Sequence, residues 1–282
     1  MIIQEAKEKI YNSPVIKYVD KEKIEKAFSK IHVYETHEEF LREYGRHDYD
    51  GGRLEGFNRN NGSHISPIAT PHTIIHEVLH ELSSEFNNDG HRIINGIMGQ
   101  GGEGFANQVN EGLTDYLTAK ISGEKPRHYR TGHEFFSRVE PNINKYYEDN
   151  EILYELYLNH DDLKIKEFLD KTLKKRGGAS NIYENFLYFD NNKIEELGKE
   201  MRKNTNRILK KRNSFFRKVI NKLKNKSSKV QLLPESTNSN NINRISEFHE
   251  QYKTEFNGKI DIDKIDNANA TEKQHEDNET SL

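Results

Sequence analysis

The sequence predicts an α/β (α+β) fold: a small half with a short mixed sheet around one buried helix, then an α-helical extension and a polar tail. Three observations carry this. Short segments of alternating polarity lie before residue 70, apolar residues recur at helical spacing after it, and beyond about residue 234 the chain turns to Asn, Ser, Glu, Asp and Lys with few aromatics. At 282 residues and 33% hydrophobic, the chain falls below the ~45–50% apolar content of a fully packed domain, so part of it is not expected to pack.

The net charge of −3 conceals a segregation. Residues 1–198 carry 25 Lys+Arg and 34 Asp+Glu, residues 199–229 carry 13 and 1, and residues 230–282 carry 5 and 11. A strongly basic stretch thus separates two acidic ones. Cysteine is absent, which excludes disulfides and thiolate metal sites, so any metal must be held by His, Asp or Glu. The N-terminus has Glu5 and Glu8 and no apolar signal core, and no apolar run approaches the ~18–20 residues needed to cross a bilayer. The expectation is a soluble cytoplasmic protein, with export by a signal-independent route left open.

Each element follows from local pattern. Residues 30–35 alternate like a half-buried strand, and Thr36 with Glu39 forms a capping box for a helix through about Tyr44. Residues 54–58 and 64–68 read as strands joined at Asn60-Asn61-Gly62, a hairpin signal. Thr70 as N-cap and Pro71 at the first helical position open a helix through residues 70–86, buried on the side of Ile74, Ile75, Val78, Leu79 and Leu82. Residues 87–106 are glycine-rich and read as a loop, and a second helix follows over about 107–121. From about 133 to 203 three or more helices are expected, one of them spanning 154–178 and ending at Gly177-Gly178. The domain reading is 1–130 for the mixed-sheet half, 131–198 for the helical extension, 199–229 for a basic amphipathic helix and 230–282 for a disordered acidic tail.

Within the 70–86 helix, residues 76–80 read His-Glu-Val-Leu-His. Positions four apart share a helix face, so His76 and His80 can chelate one cation with Glu77 beside them. A catalytic zinc site takes three protein ligands and keeps one position open. The HExxH spacing alone is not decisive, and a third ligand is the test. Glu111 on the second helix supplies a carboxylate, with Asp115 one turn further along the same face.

His76-Glu77-Val78-Leu79-His80 followed by Asn110-Glu111-Gly112-Leu113-Thr114-Asp115 resembles the gluzincin zinc metallopeptidases, the thermolysin-like group, whose second motif reads N-E-x-x-[ST]-D. The resemblance covers residues 54–121. It implies a zincin-like catalytic domain holding one Zn²⁺ per chain through His76, His80 and Glu111, with Glu77 as general base. It further implies that Asp115 and Asn110 support the ligands, Asp115 by a hydrogen bond to His76. An edge strand just before the first helix, along which substrate lies antiparallel, is also implied, and 64–68 stands in that position. A metzincin would need Gly at 83 and His at 86, where this chain has Ser83 and Phe86, and the exopeptidase motif of the GxMEN aminopeptidases is missing.

The group also carries a donor for the tetrahedral oxyanion. Tyr129, His128 and His133 all follow the second helix, and Tyr129 is the preferred candidate. His72 shares the stripe with His76 and His80, but successive i+4 steps rotate by ~40° and a further ligand from the same helix would compete with Glu111. His64 and His91 read as surface or loop residues.

Met201, Ile208, Leu209, Phe215, Phe216, Val219, Ile220 and Leu223 fall at helical spacing among Lys and Arg. Such a helix can bind an anionic membrane surface or an acidic partner, or simply pack its apolar face on the domain. Nucleic acid is disfavoured because no base-stacking motif or groove-reading fold accompanies it. The function expected is a zinc peptidase, most simply an endopeptidase acting on peptide or protein substrates. The alternatives are a protease dedicated to a single target and a non-catalytic, metal-stabilised binding module.

Overall fold

The computed structural model describes residues 2–45, 54–59, 61–89, 91–97, 105–125 and 129–227, with side chains from residue 107 in the helix that begins at 105 and up to residue 221 at the end. The expected tail 230–282 and the candidate His128 lie outside the described residues. Residues 1–215 form one compact unit, and of a second unit, 216–282, only the last turns of a helix are described. The expected segment 131–198 is therefore not set apart from 1–130.

The architecture is the predicted α+β: many helices, a three-stranded mixed sheet and a two-stranded one. Two helices, α1 (Ile2–Tyr11) and α2 (Lys21–Ser29), precede the strand β1 (Ile31–Val33). Then comes α3 (His37–Tyr44), opened by the expected capping box: Thr36 Oγ1 accepts the Glu39 N–H at 3.2 Å and Glu39 Oε2 accepts the Thr36 N–H at 3.3 Å. The hairpin forms as β2 (Gly56–Arg59) and β3 (Gly62–Ile65), with Arg59 opposite Gly62.

The strand order is β1-β3-β2, with β3 parallel to β1 and antiparallel to β2. This corrects the expected edge. β3 covers 62–65 rather than 64–68 and is hydrogen-bonded on both sides, because after α3 it returns to pair with β1; β1 and β2 are the two outer strands.

The helix α4 (Pro71–Leu82) lies at the centre, packed by α1, α2, β2, β3 and α5 (Phe105–Ser122). Every residue from His72 to Leu82 is buried, so α4 is enclosed all round rather than on one side. Part of its polar face is paired: Glu81 pairs with Lys30 and lies 3.7 Å from Arg92, although Glu81 Oε2 is buried without a hydrogen-bond partner.

α4 also stops four residues before the predicted end. Ser84 Oγ donates to the His80 carbonyl at 2.5 Å, and the chain turns into β4 (Ser84–Phe86), antiparallel to β5 (Arg92–Asn95). That hairpin replaces part of the expected loop. The Asp89-Gly90 dipeptide, a turn signal, was the one local hint of it.

The helical half is α6 (Arg130–Tyr147), α7 (Ile152–Leu158), α8 (Asp162–Leu173), α9 (Gly178–Asn185) and α10 (Asn191–Ser227), around Phe135, Phe136, Phe168 and Phe186. The single helix expected over 154–178 is broken in two at His160, whose φ is +59°, where Asp161 caps α8 by accepting the Lys164 N–H at 3.2 Å; the run does end at Gly177, φ +83°. α10 begins at 191, not 199. Ile194, Leu197, Met201 and Ile208 are buried, while Phe215, Val219 and Ile220 are exposed. No described helix is long and apolar enough to cross a membrane.

Candidate metal centre

Helical spacing on α4 places the His76 and His80 rings one turn apart, centroids 4.8 Å from each other. α5 crosses α4 and presents Glu111 to both. His76 Nε2 and His80 Nε2 are 3.1 Å apart, and Glu111 Oε2 lies 3.2 Å from each. The triangle is nearly equilateral. Ligands about 2.0–2.1 Å from a tetrahedral zinc are separated by about 3.3 Å, so these three atoms are spaced as one ion requires.

The three groups interact electrostatically. Burial pushes the Glu111 carboxyl up, but the two imidazoles facing it outweigh burial and hold it well below the usual carboxylate range. Burial likewise opposes charge on His80, yet the facing Glu111 carboxylate lifts that ring above the ordinary imidazole value. A proton and a metal ion thus compete for the same place. His76, His80 and Glu111 are the one group of three such side chains among the described residues that could hold a metal ion.

Glu77 is buried beside the triangle. Burial pushes its carboxyl above the ordinary value, with His76 and His80 pulling the other way. Its room is provided by β2. A methyl group built on Gly56 of β2 would stand 3.0 Å from Glu77 Cγ and Oε1 and from Thr73 Cγ2, so glycine is what lets β2 pass over this carboxylate. Asn58, further along β2, donates to the Glu77 carbonyl at 3.1 Å and ties the strand to the helix.

Tyr129 immediately precedes α6. α6 approaches α5 through facing glycines: a methyl on Gly112 would stand 2.7 Å from Gly132 Cα, so only a bare backbone fits. Because Gly112 follows Glu111, the crossing brings Tyr129 beside His76. The Tyr129 ring stacks on His76 at 5.9 Å and 8°. Burial first, and then the neighbouring Glu111, raise its pKa well above the ordinary phenol value. His133 stays apart, its ring 5.2 Å from that of Tyr116.

The supporting residues are arranged differently from expectation. Asp115 Oδ1 lies 3.1 Å from His72 Nε2, one turn before His76, and Asp115 Oδ2 is buried without a hydrogen-bond partner. Asn110 Oδ1 accepts the Ile97 N–H at 3.1 Å and so braces the chain after β5. His80 is served instead by Asn95, whose Oδ1 is 3.0 Å from Nδ1. His72 is no ligand: its other nitrogen lies 3.1 Å from Ser122 Oγ. His64 is corrected from surface to interior, being buried in β3, stacked on Phe57 at 4.7 Å and 2.7 Å from the Tyr34 hydroxyl. The alternation that marked a strand could have shown this, since the residue opposite it across the hairpin is Phe57.

Comparison with protein-family models, curated proteins and solved structures finds nothing that matches this chain.

Proposed function

We propose that the protein is a zinc-dependent peptidase of the gluzincin type, with His76, His80 and Glu111 as metal ligands and Glu77 as general base. The single observation that carries this reading is the convergence of the three ligand atoms at 3.1–3.2 Å, from two helices, onto one point. The donor set of two imidazoles and a carboxylate suits Zn²⁺, and Glu77 adjoins it on the same helix.

When bound, zinc would polarise the scissile carbonyl and acidify the attacking water. The remaining steps fall to side chains. Glu77 takes the proton of the attacking water and delivers it to the leaving amine; its raised pKa brings its proton affinity nearer to neutrality, where such transfers are efficient. The Tyr129 hydroxyl donates a hydrogen bond to the oxyanion. An extended substrate lies along β2, the outer strand that passes over α4, where Gly56 brings the backbone against Glu77.

Casein hydrolysis by wild type and Glu77→Gln, with metal content measured on the same samples, tests the reading. The expected result is unchanged metal and turnover reduced by about 10³-fold. Equal turnover in the two proteins would remove Glu77 from the chemistry.

A further inference from the structure

We infer that Asn95, at the end of β5, is the residue that orients His80 for metal binding. The inference rests on the metal-site reading above and adds a positioning residue that no motif marks.

The amide oxygen of Asn95 can only accept, so at 3.0 Å His80 Nδ1 must carry the proton and donate it. That leaves Nε2, the nitrogen in the ligand triangle, to offer its lone pair. A second acceptor lies behind the ring. Thr114 has one hydroxyl proton, given to the Asn110 carbonyl at 2.9 Å, so in its 2.8 Å contact with Tyr157 the phenol is the donor. The Tyr157 oxygen, fully buried and 3.4 Å from His80 Nδ1, is then free to accept and not to donate. His80 Nδ1 therefore faces two oxygen acceptors, with Asn95 the nearer.

The same strand rung that holds Asn95 also holds the helix. Asn95 stands opposite Ser84 in the β4–β5 pair, and Ser84 Oγ donates to the carbonyl of His80 itself. The next residue, Gly96, donates its N–H to the Ser83 carbonyl at 2.9 Å. Backbone and ring of His80 are thus fixed by one short hairpin, so the ring cannot turn without losing its Nδ1 partner.

The test is zinc affinity by chelator competition on wild type, Asn95→Ala and Asn95→Asp, with the thermal midpoint of each metal-free protein. Asn95→Ala is expected to bind zinc about 10- to 100-fold more weakly, and Asn95→Asp, which keeps an acceptor, to restore binding. The metal-free midpoints of the two variants should agree, because a merely structural role would lower the midpoint without separating the affinities. Zinc binding by Asn95→Ala at wild-type strength, or an Asn95→Asp as weak as Asn95→Ala, would overturn the inference and leave the metal site standing. A folded wild type that binds no zinc would overturn both.

Discussion

His72 Nε2 and Asp115 Oδ1 lie 3.1 Å apart, both side chains closed off from water. The aspartate of the second motif therefore braces α4 against α5 one turn before His76. Removing it strands a buried imidazole nitrogen, so Asp115→Ala should lower the unfolding free energy by about 2–3 kcal/mol, read by urea denaturation, and Asp115→Asn should cost less because it keeps an acceptor. An Asp115→Ala protein of wild-type stability whose zinc affinity fell tenfold would show that the aspartate serves the ligands instead.

Gly56 predicts a separable effect on chemistry. The methyl of Gly56→Ala meets Glu77 at 3.0 Å, tighter than ordinary contact, and must move either the carboxylate or β2. Because the triangle itself is untouched, metal content should stay at the wild-type level while turnover falls about tenfold or more. Full activity in Gly56→Ala would mean that Glu77 tolerates displacement or does not act.

Tyr129→Phe keeps the ring that stacks on His76 and deletes only the hydroxyl. If that hydroxyl serves the oxyanion, kcat should fall about 10²-fold with KM and zinc affinity nearly unchanged. A loss confined to zinc affinity would assign the hydroxyl to holding Glu111.

His64 predicts a pH dependence of stability. Burial first, with Arg59 and His32 assisting, lowers its folded-state pKa below the unfolded value. The unfolded chain therefore takes the proton first. The contribution of the neutral ring is fully present above the unfolded pKa of about 6.5 and is lost as pH falls through it toward the folded value. The urea midpoint should drop between pH 7.5 and 5.5, and drop less in His64→Gln; parallel curves for the two proteins would refute the assignment.

What the sequence made legible was what depends on neighbours along the chain. The Thr36–Glu39 capping box, the hairpin pairing of Arg59 with Gly62, the 3.6-residue spacing of α4 and the i+4 pair of histidines all rest on contacts a few residues apart. The grouping of His76, His80 and Glu111 was legible because two motifs, each local, imply one meeting point. The rest depends on distant pairing. Whether β3 is an edge is decided by β1, across α3, and whether Asp115 meets His72 or His76 is decided by how α5 is rotated on α4. Asn95 was invisible for the same reason: a lone asparagine on a four-residue strand has no spacing to mark it, and its partner lies fifteen residues away on a helix.

The central claim is that His76, His80 and Glu111 hold one metal ion. The most direct measurement is zinc content, by elemental analysis after reconstitution and removal of free metal, of wild type and Glu111→Ala with matched far-UV circular dichroism. One zinc per chain in the wild type, lost in Glu111→Ala, is the predicted result. A folded wild type without zinc, or a Glu111→Ala protein that retains it fully, would contradict the account.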